Sequence, residues 1–268
     1  MTKVSGFTGS RIPNLVSFTK LSSGLRISKA ADDPAGLSIA SKLSASIASL
    51  SEASKNISYA VSRFEVADSA LSQASSLTGE LQALATQAAN GTLNDEQRGA
   101  IQAQYNQLVE EIQRIGATTE FNGAPVLDGS PLVVQVGTDS ASSSRVTAEG
   151  VNLAQIASSL TSQSLTSQAS ARSAIDAIRE VSTGLTSARG EIGAATSRIE
   201  KASALNDVMR QNYAAARAQI TDLNVAEEMS KLTAQAILQN QTAALNAQAA
   251  RLETSTVFNL LGGSGSKK

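Results

Sequence analysis

The stretch that decides the fold is IREVSTGLTSARGEIGAATSRIEKASALNDVMRQNYAAARAQITDL, residues 178–223. Within it Ile178, Leu185, Ile192, Ile199, Asn206, Tyr213 and Ile220 recur every seven residues. Three positions later run Val181, Ala188, Ala195, Ala202, Met209, Ala216 and Leu223. Both seam positions therefore stay filled well beyond the three or four heptads that argue a coiled coil. The second column is mostly Ala, which lets a partner helix approach closely. Asn206 is the polar exception, a residue that fixes register at some cost in stability. Ile178, Leu185, Ile192, Ile199, Tyr213 and Ile220 are thus the expected packing residues of the core.

Working outward, the N-terminal half carries a matching pair of helices. Asp33 before Pro34 reads as an N-cap with proline at the first helical position, where its missing N–H costs nothing. Leu43, Ile47, Leu50, Ile57, Val61, Phe64 and Leu71 then mark one face of a long helix, ending near Asn90-Gly91. Asn94 or Asp95 caps the next helix, whose expected stripe is Ile101, Tyr105, Leu108, Ile112 and Ile115. At the other end, a final helix from about Val225 to Leu260 carries Met229, Leu232, Ala236, Leu238, Leu245, Leu252 and Leu260. Terminal residues fray unless something docks them. A stripe running this far implies burial against neighbouring molecules.

The texture changes between Phe121 and Leu153. Asn122-Gly123 and Asp128-Gly129 are turn dipeptides, and Leu132, Val133, Val134 and Val136 are strand formers. Val146, Val151 and Leu153 are expected in a partner strand beyond the Ser-rich loop 140–144. The segment from Ser158 to Ser170 is polar and reads as a linker.

Composition narrows the function. The 268-residue chain has no Cys and no His, which removes disulfides, Cys/His zinc sites, thiol nucleophiles and His-dependent triads. A net charge of -1 offers no global field for nucleic acid or anionic membrane. Aromatics are only 3% of the residues, so little area is available for a thick core, while abundant Ala, Leu, Gln, Glu and Arg favour helices. Asp32-Asp33 is the most visible carboxylate pair, and it reads as a helix-capping loop. Glu110-Glu111 and Glu227-Glu228 read as solvated helix faces. No phosphate loop, dinucleotide fingerprint, nucleophile elbow or calcium loop is present. The expectation is a non-enzyme with no catalytic residue, cofactor or metal, no nucleic-acid partner and no membrane insertion.

Two contiguous stretches, LSSGLRISKAADDPAGLSIASKL (21–43) and LATQAANGTLNDEQRGAIQAQYNQLVEEIQRIGATTEFNGAPVLDG (84–129), closely resemble the N-terminal signature of bacterial flagellins. ITDLNVAEEMSKLTAQAILQNQTAALNAQA (220–249) resembles the family's C-terminal signature, and VFNLLG its usual end. The resemblance implies a mainly α fold: a coiled-coil-like helical rod with a small β-hairpin region and terminal helices that pair on assembly. It implies a minimal flagellin without large outer domains, because little chain separates Gly123 from the C-terminal heptads. On this reading, residues 1–33 are the N-terminal segment of an inner filament domain with its connecting spoke. Residues 34–120 and 158–223 are the two halves of the rod, and 121–157 the hairpin region. Residues 224–262 form the C-terminal helix of the inner domain, and 263–268 a flexible tail.

The implied function is a structural subunit that self-assembles into the flagellar filament, the helical propeller of motility. A hook–filament junction protein and a coiled-coil adaptor or signalling module are the alternatives. The implied partners are other copies of the subunit, a flagellar export chaperone, the filament cap and the hook-junction proteins. The implied location is the extracellular filament, reached through the flagellar secretion channel without a cleaved signal peptide. The resemblance makes loops such as 140–144 candidates for O-linked glycans, with Ser140, Ser142, Ser143 and Ser144 as the candidate acceptors. The family has a longer uninterrupted helix before its LSSG stretch. Here Gly6, Gly9 and Pro13 interrupt that place, and Pro13 moves the expected helix start to about Asn14.

Overall fold

In a computed structural model, residues 18–262 are described, with side chains through Leu252. The helix start expected near Asn14 and the tail 263–268 lie outside the described residues. The described residues are mainly helical. Its contacts divide into a compact unit, Ser46–Asn212, and a second unit built from the segments before and after it.

Helix α1 spans Pro34–Ala88 and begins where Asp33 caps it, its Oδ1 accepting the Gly36 N–H at 2.9 Å. Helix α2, Asp95–Thr118, opens on a capping box: Asn94 Oδ1 accepts from Gln97 N, and Gln97 Oε1 accepts from Asn94 N. Arg98 ties the turn between them. Its buried guanidinium donates to the carbonyls of Ala88 (3.1 Å) and Asn90 (3.0 Å), satisfying acceptors that the end of α1 leaves without helical partners. The buried face of α2 is Ile101, Tyr105, Val109, Ile112 and Ile115. This corrects the expected stripe: Leu108 is only half-buried, and Val109 takes its place. A straight helix drifts from the 3.5-residue repeat toward 3.6, and over this short element the drift favours the neighbouring position.

Two small antiparallel hairpins follow. Strands β1 (Glu120–Phe121) and β2 (Ala124–Pro125) join through Asn122 and Gly123, whose φ angles of 53° and 74° suit a tight turn with both central residues left-handed. Strands β3 (Leu132–Gln135) and β4 (Arg145–Ala148) pair in the register Val134↔Val146, with both residues facing the core. Val151 and Leu153 are not in that strand, contrary to expectation. The strand ends at Ala148, and Gly150 lies so close to the Gly129 backbone that a Cβ would overlap it. Leu153 instead opens a short helix, α3 (Leu153–Ile156), capped by Asn152.

Residues 158–170 differ from the expected polar linker. Leu160 and Leu165 are fully buried, and the buried Tyr105 hydroxyl donates to the Leu160 carbonyl at 3.1 Å. Two leucines in a Ser-rich background are enough to seat the segment on the core. Helix α4 then runs Gln168–Thr221, with Ser167 Oγ accepting from Ser170 N. In the compact unit the Ala-rich faces of α1 and α4 pack with α2 and the hairpins into one hydrophobic cluster. A two-pronged ion pair, Arg189 Nε to Asp68 Oδ1 (2.8 Å) and Nη2 to Oδ2 (3.2 Å), ties α4 to α1. Helix α5, Val225–Gly262, follows the short break at 222–224, with Asn224 Oδ1 accepting from Glu227 N.

Candidate assembly surface

Six packing positions were expected on the α4 seam, and they divide. Ile178, Leu185, Ile192 and Ile199 are buried among α1, α2 and the hairpins, whereas Tyr213 and Ile220 are only half-buried. Asn206 marks the change. It is 5% exposed, and its Nδ2 donates to the Val136 carbonyl at 2.7 Å. The amide thus satisfies a backbone acceptor just past the end of β3, and it fixes the rotation of α4 beneath the hairpin.

Beyond Asn206 the chain enters the second unit, whose organising element is the stretch 24–36. Gly24 takes φ 69°, where a side chain would be strained, and its carbonyl accepts from Leu223 N at 2.9 Å. Arg26 N donates to the Thr221 carbonyl at 2.7 Å, and its Nη2 to the Ile220 carbonyl at 2.6 Å. These bonds satisfy carbonyls at the end of α4 and join the start of the described chain to the α4–α5 break.

The Asp32-Asp33 pair completes the turn into α1. Asp32 Oδ2 accepts from Ser28 N (3.1 Å) and Lys29 N (3.0 Å), and those two N–H groups lower its carboxyl below the usual range. A Cβ at Gly36 would press on the capping Asp33 carboxylate and the buried Ile27 side chain, so a larger residue there would have to displace them. Each carboxylate of the pair is therefore occupied by backbone. Glu111 pairs with Arg114, and Glu227 with Lys231 at 2.7 Å; each pairing lowers the carboxyl. Among the described residues no group of acidic side chains is arranged to hold a metal ion, and no helix is long and apolar enough to cross a membrane.

Part of what this unit presents outward is apolar. Along α5, Val225, Met229, Ile237, Leu238, Leu245 and Leu252 are 51–64% exposed, and Leu232 is half-buried. Leu238, Leu245 and Leu252 stand at heptad spacing, one seam along the helix. Apolar side chains repeated along a helix without burial mark a surface made for another molecule. In the hairpin region Ser140, Ser142 and Ser143 are exposed, whereas Ser144 is half-buried and its hydroxyl donates to Asp139. That hydroxyl, with the Ala141 N–H, holds the Asp139 carboxyl low.

Sequence reasoning missed Arg98, the Asn206–Val136 bond and the Arg26 bridge. A cation ten residues after Ala88 gives no periodic signal, and the other two join residues far apart in the chain.

The bacterial flagellin N-terminal helical region matches residues 15–131, and the bacterial flagellin C-terminal helical region matches residues 175–261. A flagellin of Halalkalibacterium halodurans is 37% identical over 232 residues, covering 86% of this chain and 85% of its own. A flagellar filament 30.7 kDa core protein of Treponema maltophilum is 32% identical over 245 residues, covering 86% of each. Among solved structures, Bacillus cereus flagellin covers 55% of this chain and 85% of its own, at 27% identity and a TM-score of 0.49.

Proposed function

Given that the chain belongs to the bacterial flagellin family and is a structural subunit of the flagellar filament, we propose that α5 is the surface by which its copies assemble. The observation that carries this reading is the exposed apolar seam of α5, in contrast to the α4 seam from Ile178 to Ile199, which is buried within the compact unit. The family is one of homopolymers located outside the cell, and only residues 132–174 separate its two matched regions, as befits a minimal member.

On this reading 18–33 and α5 belong to the inner part of the filament. The two long helices within 34–120 and the one within 158–223, with the hairpins between them in sequence, form the surrounding rod. The unit contributes packing and no catalysis. Export chaperone, filament cap and hook-junction proteins are the further partners, the first needed because an exposed seam aggregates before assembly. Passage through the secretion channel without a cleaved signal suits a chain that carries no disulfide. Ser140, Ser142 and Ser143 are the accessible glycan acceptors, and Ser144 the poorest, since its hydroxyl is already bonded. An intact mass equal to the bare sequence, on protein from the native host, would remove that proposal.

Hydrogen exchange on subunit and polymer tests the assembly surface. Ordering a residue costs roughly 1–2 kcal/mol of backbone entropy, and a seam left in water does not offset it. Amides of 225–260 are expected to exchange fast in the subunit and slowly in the polymer. Equal protection in both states would overturn the assignment.

A further inference from the structure

Every large exposed apolar side chain described in the compact unit belongs to one of two places. Tyr59 (65% exposed) and Val133 (54%) line a groove of about 880 Å³ between α1 and the hairpins. Leu205 (59%) and Val208 (53%) stand on α4. The groove has α1 as one wall, with Tyr59 and Arg63, and the β1–β2 turn and β3 as the other, with Phe121 and Val133. Strand β3 pairs only with β4, so the groove is walled partly by a sheet edge. The α4 patch is convex. The buried Asn206 between its two residues points inward to Val136, which fixes Leu205 and Val208 outward. Lys201, Ala204, Leu205 and Val208 share this exposed face at helical spacing.

We propose that the groove receives the Leu205–Val208 ridge of a neighbouring copy. A concave apolar patch and a convex one at different places on a single chain make a heterologous contact, which propagates as an open helical array. The available area points the same way. A stable interface needs roughly 800 Å² per partner, while even a fully covered aromatic supplies about 150–250 Å². Four side chains fall short of a free dimer. They suffice where a second contact, the α5 seam, holds the same copies together and each contact raises the effective concentration for the other. The inference rests on the filament reading above.

The chain's lack of Cys makes the test clean. Full-length Val133→Cys and Leu205→Cys chains are co-polymerised and treated with a short flexible bis-maleimide. The expected result is a covalent dimer in mixed filaments and none in filaments of either variant alone. Tyr59→Cys with Val208→Cys is a second, independent pair, scored the same way, and thermal unfolding confirms that each variant is folded. Mixed filaments without dimer in either pair would overturn the proposal while leaving the filament reading intact. Dimers within one variant alone would also overturn it, because they require a contact of like with like. Failure of the unsubstituted chain to polymerise would instead overturn the filament reading.

Discussion

Helix α4 between Gln168 and Ile199 and helix α5 between Val225 and Leu252 share one texture: Ala-rich, sparsely aliphatic and charged on the flanks. Their fates differ. Ile178, Leu185, Ile192 and Ile199 are covered by their own chain, whereas Val225, Met229, Leu238, Leu245 and Leu252 face outward. The difference lies in the neighbours. The first stretch has α1, α2 and two hairpins to pack on. The second carries the same kind of seam into a unit whose other described residues, the helical turns at 18–23, the connecting stretch, the start of α1 and the end of α4, leave it exposed. One helix therefore contributes to the stability of the subunit, and the other is free to contribute to the stability of the polymer.

The contrast is broken most severely by truncation. Removing residues 240–268 is expected to abolish filaments while leaving the unfolding of the compact unit unchanged; removing residues 1–12 is expected to leave some filaments. Burial sets this ranking: each large aliphatic side chain covered on assembly contributes roughly 1.5–3 kcal/mol before entropy, and the C-terminal segment carries several. Sedimentation and electron microscopy read the result, and the reverse ranking would refute the assignment of α5.

Point substitutions sharpen it. Leu185→Ala or Ile199→Ala is expected to destabilise the subunit by about 2–5 kcal/mol, as buried large-to-small changes do. Leu238→Ala, on the exposed seam, is expected to change subunit stability by less than about 0.5 kcal/mol and still to raise the concentration needed for polymerisation. Equal effects on denaturant midpoints would erase the distinction between the helices.

Asn206→Ala comes next. It leaves the Val136 carbonyl without its donor beneath the hairpin, at an expected cost of about 1–3 kcal/mol. The loss of protection in hydrogen exchange is expected at β3 and β4. Unchanged hairpin exchange would show that the amide does not hold the two together.

The smallest effect is a pH response confined to the compact unit. Burial pushes the Tyr105 hydroxyl up to about 12. A raised acid binds its proton more tightly when folded. Its contribution is therefore fully present below the unfolded value of about 10 and is lost as pH rises toward the folded one. Alkaline melts of the parent chain are expected to fall across that window. Tyr105→Phe, having no proton to lose there, is expected to flatten the fall; identical pH profiles would refute the assignment.

The sequence by itself determined the helices and their caps. The heptads of 178–223, Asp33 before Pro34 and Asn94 before α2 are local signals, and local geometry obeys them because capping and periodicity act within a few residues. The contiguous signatures at 21–43, 84–129 and 220–249 carried the family as well. What only the tertiary structure decided is which stripe ends up covered. Val109 replaces Leu108 because the partner surface selects among adjacent positions on a drifting helix. Leu160 and Leu165 turn an apparently polar linker into part of the core because Gln102 and Tyr105 of α2 hold its backbone there. Arg26 finds a backbone carbonyl 194 residues away along the chain, and Asn206 one 70 residues away. Burial belongs to pairs of surfaces, and no reading along one strand of sequence contains the second surface.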